Sequence, residues 1–126
     1  MIAVETDNRS GGDIPDAEAA ALARDVLAAE GIDDGELGIA FVAADEMRSL
    51  KRDHLGIDEE TDVLSFPLDG REEVPAGVPR ALGDVVLCPA VVGDAWRAPL
   101  VHGLLHLLGY EHGEEMDERE RAHASR

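Results

Sequence analysis

The chain contains 126 residues, which is the size of one domain and leaves no room for a second core of ordinary size. Hydrophobic residues make up 44% of the composition, so a wholly disordered chain is excluded. Asp and Glu number 28 against 11 Lys and Arg, and the formal charge of −17 excludes both a net basic surface for nucleic acid and attraction of the whole molecule to an anionic membrane.

The acidic excess has two interpretations that both stay open. A solvated acidic surface keeps a protein soluble, and such surfaces are common. A salt-loving host is the second interpretation, because the surface is poor in lysine and Lys51 is the only one in the chain. Salt would then screen the self-repulsion that so large a charge creates.

The cysteine content and the lengths of the apolar runs indicate the cellular compartment. Cys88 is the only cysteine, so we expect a small buried apolar residue, with neither an internal disulfide nor a disulfide-linked partner. No apolar run approaches the roughly 20 residues of a membrane span, and residues 1–5 lack the features of a secretory signal. The sequence therefore predicts a cytoplasmic protein without a membrane partner.

Hydrophobic patterning predicts strands that alternate with helices. The predicted strands cover residues 2–5, 37–43, 62–66 and 82–88. The predicted helices cover residues 16–30, 44–53 and 100–108, and a charged tail from residue 113 begins as a fourth helix. Gly and Pro residues indicate a loop over residues 69–80. We expect an α/β or α+β fold with one small sheet of about four strands, in a single domain over residues 1–126.

Three histidines form the most informative pattern. His102 and His106 are four residues apart on a predicted helix, so both rings project from one face. Gly109 lets the chain leave the helix, and His112 can return as a third ligand. Three neutral imidazoles suit zinc and leave a fourth position for water, as in catalytic sites. The alternative is a helix with scattered histidines, but a buried apolar helix requires partners for them.

The same histidine spacing resembles the zinc helix of metzincin proteases. Those proteases carry a glutamate general base directly after the first histidine. Gly103 occupies that position here, and glycine has no side chain that accepts a proton. A metallopeptidase is therefore disfavoured, and it would require another carboxylate as its general base.

A second resemblance covers residues 37–120. The segment His102-Gly103-x-Leu105-His106-Leu107-x-Gly109-Tyr110-x-His112 resembles the signature of the YbeY family of rRNA-maturation endoribonucleases. The stretches Thr61-Asp62-Val63-Leu64-Ser65-Phe66-Pro67 and Leu82-Gly83-Asp84-Val85-Val86 resemble two strand motifs of that family, in the same order.

This resemblance implies a zinc-dependent endoribonuclease. Family members are associated with cleavage of single-stranded RNA, 16S rRNA 3′-end maturation and ribosome quality control, which makes rRNA and the small subunit the implied partners. The implied fold is a small mixed sheet packed by helices, with zinc in a cleft. The resemblance makes His102, His106 and His112 the ligands of one zinc ion per chain, and places Ser65 and Asp84 near the cleft.

Two departures from the family pattern imply reduced activity. Leu55 stands where the family places an arginine that is a candidate for phosphate binding, and Arg52 one turn earlier is a possible substitute. The segment between Gly83 and His102 is roughly ten residues shorter than is usual in the family, if a helix of ordinary length connects the strand to the histidine site. A catalytically weakened, ribosome-associated metal-binding factor is therefore the alternative to an active enzyme.

One cationic cluster is a candidate RNA contact. Arg48, Lys51 and Arg52 have spacings of three and four residues on a predicted helix, so they share a face. A developing phosphodiester charge requires such cationic help. Ordinary placement of cations near a helix C-terminus, where the helix dipole favours them, is the competing explanation.

Overall fold

A computed structural model describes residues 2–56, 61–69, 72–111 and 113–124. It contains four strands, β1 (Ile2–Arg9), β2 (Gly35–Val42), β3 (Val63–Pro67) and β4 (Ala81–Leu87). The helices of this described part are α1 (Asp16–Ala29), α2 (Ala44–Leu55), α3 (Pro89–Val92), α4 (Arg97–Leu107) and α5 (Glu114–His123). The predicted α/β class with four strands and flanking helices is confirmed.

The four strands form one mixed sheet in the order β1-β2-β4-β3. β1 runs parallel to β2 and β2 runs parallel to β4, whereas β3 pairs antiparallel with β4 and forms an edge. In the β3–β4 ladder, Ser65 lies opposite Val85 and Phe66 lies opposite Asp84. Successive residues of a strand point to opposite faces, so this register assigns side chains to one face or the other.

One face of the sheet carries the main core. α1 presents an apolar stripe with helical spacing, formed by Ala19, Leu22, Ala23, Val26 and Leu27, all of them buried. α4 is buried almost all round, and its leucines pack with this stripe and with β2 and β4 in one cluster. The histidine-bearing helix is therefore held between the sheet and α1.

The opposite face is covered mainly by α2. Within the described ranges, the buried cluster on this face consists of Val42, Met47, Val86 and Cys88. Cys88 is fully buried, as predicted. α2 ends at Leu55 and is capped by Gly56, which adopts a left-handed conformation with φ +74° and donates its backbone N–H to the Arg52 carbonyl at 2.9 Å.

The largest differences from the predicted elements are found at three places. β1 continues to Arg9 because its polar second half pairs with β2 along its whole length. The short helix α3 begins at Pro89, since proline fits the first turn of a helix as well as it ends a strand. α4 begins at Arg97 and holds Pro99 in its first turn, where no intrahelical N–H bond is lost.

None of the helices in the described ranges is long and apolar enough to cross a bilayer.

Candidate metal centre

The two histidines of α4 lie on consecutive turns and face a common cleft. The Nε2 atoms of His102 and His106 are 3.0 Å apart. Their ring centroids are separated by 4.6 Å and the ring planes are inclined at 81°. Both side chains are half-buried, so the nitrogens are accessible from the cleft. The predicted four-residue spacing therefore brings the two imidazoles together.

The outer nitrogen of each ring is held by a separate partner. His102 Nδ1 lies 2.5 Å from a carboxylate oxygen of Glu120, to which it donates a hydrogen bond. His106 Nδ1 donates to the backbone carbonyl of Tyr110 at 3.0 Å. With both Nδ1 atoms acting as donors, each neutral ring presents its Nε2 lone pair, and the two lone pairs converge.

This donor set fits a metal ion. Two lone pairs directed at one another repel unless a cation lies between them, and neutral imidazoles are common zinc ligands. A ligating histidine usually donates its other N–H to a carboxylate or a backbone carbonyl, which are the two partners present. The chemistry of the pair therefore suits zinc, although nickel and copper accept the same ligands.

The third predicted ligand, His112, lies outside the described residues. Within the described ranges, no group of three or more His, Cys, Asp or Glu side chains is arranged to hold a metal ion. The arrangement there consists of the two α4 histidines and their outer partners, and the three-ligand site stays a prediction.

Gly103 and Ser65 fix the histidine helix against the sheet. A Cβ at Gly103 would lie 2.8 Å from a Val85 methyl and 3.1 Å from a Val63 methyl, so only glycine allows α4 to approach this closely. Ser65 donates its hydroxyl hydrogen bond to the Gly103 carbonyl at 3.0 Å. A glutamate base at position 103 would have no room, which counts further against a metallopeptidase.

The cleft beside the histidines has a volume of about 890 Å³ and runs along the edge strand β3. Among the described residues, its charged lining side chains are all carboxylates, Asp62, Glu111 and Glu120. Leu55, at the end of α2, also lines the cleft and is 58% exposed. The position at which the resemblance predicts an arginine is therefore at the rim of the histidine cleft, where it holds an apolar side chain.

The cationic cluster lies on α2, outside the described lining of the cleft. Arg48, Lys51 and Arg52 precede Leu55 by seven, four and three residues, so helical periodicity places them on the same face as that rim residue. Arg52 is half exposed and pairs with Asp53 at 3.5 Å. The cluster therefore lies on the α2 face that ends at Leu55, and the structure does not bring Arg52 to the histidines.

Asp84 requires a correction. The resemblance places it near the cleft with Ser65, but Asp84 lines a groove on the opposite face of the sheet, together with Glu5 and Asp7 of β1. Its carboxylate occupies the space that a Cβ on Gly38 would fill. The antiparallel register explains this placement, because Asp84 is paired with Phe66 and not with Ser65.

A buried polar cluster behind the histidines is absent from the sequence predictions. The Glu30 side chain is only 2% exposed. Its carboxylate accepts hydrogen bonds from the Tyr110 hydroxyl at 2.8 Å, from Arg119 at 2.7 and 2.5 Å, and from His123 Nε2 at 2.8 Å. A signal existed in the sequence, since residue 30 continues the buried α1 stripe that includes Val26 and Leu27.

The cluster changes the ionisation of Glu30. Burial alone would raise the pKa of this carboxyl group. Hydrogen bonds from His123, Tyr110 and Arg119, together with the charge of Arg119, outweigh burial and lower the pKa from 4.5 to about 2. Glu30 is therefore a carboxylate at neutral pH and only accepts hydrogen bonds.

Fold and site together define a small α/β protein with paired imidazoles in a cleft, and comparison with known proteins gives the family. A sequence model of the family described as "Endoribonuclease YbeY" matches residues 5–126. The chain belongs to the endoribonuclease YbeY family.

Several relatives support this membership. The endoribonuclease YbeY of Mycolicibacterium paratuberculosis is 35% identical over 94% of this chain and 77% of its own length. The protein of the same name from Beutenbergia cavernae is 40% identical over 94% of this chain and 89% of its own length. That from Halorhodospira halophila is 43% identical over 69% of this chain and 67% of its own length.

A solved structure shares the fold. The solution structure of TM1509 from Thermotoga maritima aligns with a TM-score of 0.59 and 24% identity, covering 99% of this chain and 87% of that one. At this level of identity the match establishes the architecture alone.

Proposed function

We propose that this protein is a zinc-dependent, single-strand-specific endoribonuclease that acts in 16S rRNA 3′-end maturation and ribosome quality control in the cytoplasm. The observation that carries the proposal is the convergence of the His102 and His106 Nε2 atoms at 3.0 Å, with each Nδ1 held from outside. Membership of a family of endoribonucleases supplies the substrate class.

His102, His106 and His112 would hold one zinc ion per chain. When bound, zinc supplies a water of pKa ~7 and a Lewis acid for a phosphoryl oxygen. The remaining contributions come from the chain. Glu120 and the Tyr110 carbonyl fix the tautomers and directions of the two α4 rings, and Ser65 secures the helix that carries them.

Contacts to the RNA backbone are the second part of the proposal. The charged side chains in the described lining of the cleft are carboxylates, so the cations of α2, on the face that ends at Leu55, are our candidates for phosphate contacts. The side chains of Arg48, Lys51 and Arg52 share the face that leads to Leu55 at the rim. The net charge of −17 opposes RNA approach over longer distances, and salt reduces that repulsion.

The test combines metal content and RNA cleavage on one preparation. We expect one zinc per chain, cleavage of single-stranded RNA, and loss of cleavage with a chelator. His102→Ala should lose the metal, whereas the matched control His54→Ala should keep it, because His54 makes an edge-to-face contact with Phe66 outside the cleft. Absence of chelator-sensitive cleavage across a range of salt concentrations would refute the enzymatic proposal, and unchanged metal content in His102→Ala would refute the ligand assignment.

A second candidate function is favoured by Leu55 at the cleft rim. A ribosome-associated factor that keeps the metal but cleaves slowly would lack a cation at this position. We expect Leu55→Arg to raise the rate of RNA cleavage by about tenfold or more if charge stabilisation is limiting. Leu55→Gln is the control for polarity without charge. Equal rates in the wild type and both variants would show that position 55 does not limit activity.

A further inference from the structure

The donors to the buried carboxylate of Glu30 all come from one part of the chain. Tyr110 follows α4, and Arg119 and His123 belong to α5, so the contacts join residues 80 to 93 positions apart. No buried side-chain nitrogen or oxygen in the described ranges lacks a hydrogen-bond partner. A single carboxylate at the end of α1 therefore holds both Tyr110, which follows α4, and helix α5.

The same two segments hold the histidines. Tyr110 donates its hydroxyl to Glu30 while its backbone carbonyl accepts from His106 Nδ1. Arg119 is the direct neighbour of Glu120, whose carboxylate accepts from His102 Nδ1. Each outer partner of the histidine pair therefore lies on, or next to, a residue that Glu30 binds.

α5 has little apolar contact of its own. Among its described residues only Met116 and His123 are buried, and His123 is itself a Glu30 partner. A helix this polar does not dock through a hydrophobic stripe. Arg119 donates to Glu30 through both Nε and Nη2, which reach the same carboxylate oxygen, and charge-assisted hydrogen bonds of this kind are stronger than neutral ones.

We infer that Glu30 is a positioning residue for the histidine pair: by holding Tyr110 and Arg119, it sets the directions of the His106 and His102 rings through their Nδ1 partners. Glu30 does not contact the cleft, since its side chain lies behind α4 and is almost fully buried. The consequence for metal affinity rests on the proposed zinc site, but the effect on the rings does not.

The test compares Glu30→Gln with Met47→Ala. The glutamine keeps the size of the side chain but directs an amide N–H₂ at the donors of Arg119 or His123. Met47 is buried beneath α2 on the other face of the sheet, so its variant loses stability without touching α5. Three quantities are measured for each protein: free energy of unfolding without metal, ring ¹⁵N signals of the histidines without metal, and zinc affinity by competition with a chromophoric chelator.

We expect Glu30→Gln to shift the ring ¹⁵N signals of His102 and His106 and to weaken zinc binding by about 10-fold, the lower end of the effect of losing an outer partner, because both outer partners remain but are less well held. Met47→Ala should do neither, even at equal or greater loss of stability. Unchanged rings and unchanged zinc affinity in Glu30→Gln would overturn the inference. Equal weakening of zinc binding in Met47→Ala would overturn it too, because the effect would then be general destabilisation.

Two further outcomes are informative. If the wild type binds no zinc while Glu30→Gln still shifts both rings, the proposed metal site fails and the positioning role stands. If Glu30→Gln does not fold, Tyr110→Phe replaces it, because this variant removes one donor to Glu30 and leaves the backbone carbonyl in place. A shift of the His106 ring signals in Tyr110→Phe supports the inference, and unchanged signals overturn it.

Discussion

The two faces of the sheet differ in how much they bury. In the described part of the chain, 21 buried residues on the face of α1 and α4 form one cluster that runs from Ile2 to Met116. On the face of α2, the corresponding cluster of described residues has four buried members. The histidine pair is carried by the first face and the cationic cluster by the second. The paired imidazoles, which require precise geometry, are thus on the well-packed face, and the proposed RNA contacts, which tolerate adjustment, are on the thinly covered one.

The largest expected loss in free energy of unfolding comes from a leucine on the face of α1 and α4. Leu104 is fully buried within α4, so Leu104→Ala should cost about 4 kcal/mol in free energy of unfolding, near the upper end for such substitutions. Met47→Ala should cost about 2 kcal/mol, because a small cluster near the surface relaxes more easily into the space left behind. Urea denaturation measures both values. Equal losses would show that cluster size does not determine the packing energy of these two faces.

Low pH should destabilise the folded protein through Glu30, the buried carboxylate at the end of α1. Glu30 has a pKa of about 2 in the folded protein against 4.5 for the ordinary side chain. Its contribution to stability is therefore complete above about pH 5.5 and is lost as the pH falls towards 2, by about 3 kcal/mol in total. The measurement is the free energy of unfolding in urea as a function of pH.

Glu30→Gln is the control for this acid effect, because it removes the titrating group. The slope of stability between pH 5 and pH 3 should be smaller in this variant than in the wild type. Leu104→Ala should retain the wild-type slope, since the apolar part of the core carries no ionisable group. Identical slopes in the wild type and Glu30→Gln would mean that the polar attachment of α5 does not control acid stability.

Much of this architecture follows from local patterns. Four apolar runs bounded by Gly and Pro predict the strands, and the four-residue spacing of His102 and His106 predicts that their rings meet. These features depend on neighbours along the chain, and the structure agrees with them. The resemblance of the histidine segment predicts the family, which the comparisons confirm.

The remaining features depend on packing between distant segments. No spacing rule connects Glu120 to His102, because their contact depends on how α5 docks on α4. The position of Asp84 depends on the register of β3 against β4, and a shift of one residue would move it to the face of the histidines. Both strand motifs resemble the family, but a motif does not specify which of its polar residues faces the cleft.

The smallest expected effect concerns the thinly covered face. The double variant Lys51→Gln, Arg52→Gln should bind single-stranded RNA more weakly by about 1 kcal/mol. The slope of log affinity against log salt concentration should be smaller in magnitude by about 1.4, because two cations are lost. Arg24→Gln is the matched control, because Arg24 lies on α1, where it donates to the Ile2 carbonyl. An unchanged slope in the double variant would show that Lys51 and Arg52 do not contact the phosphates.

Salt acts on this measurement in two opposing ways, so the conditions decide its meaning. Phosphate contacts weaken as salt rises, whereas screening reduces the self-repulsion of a chain with a charge of −17. Binding should therefore be compared only above the salt concentration at which unfolding of every variant is negligible. In that range a difference in slope reports contacts with RNA, because the folded fraction no longer changes.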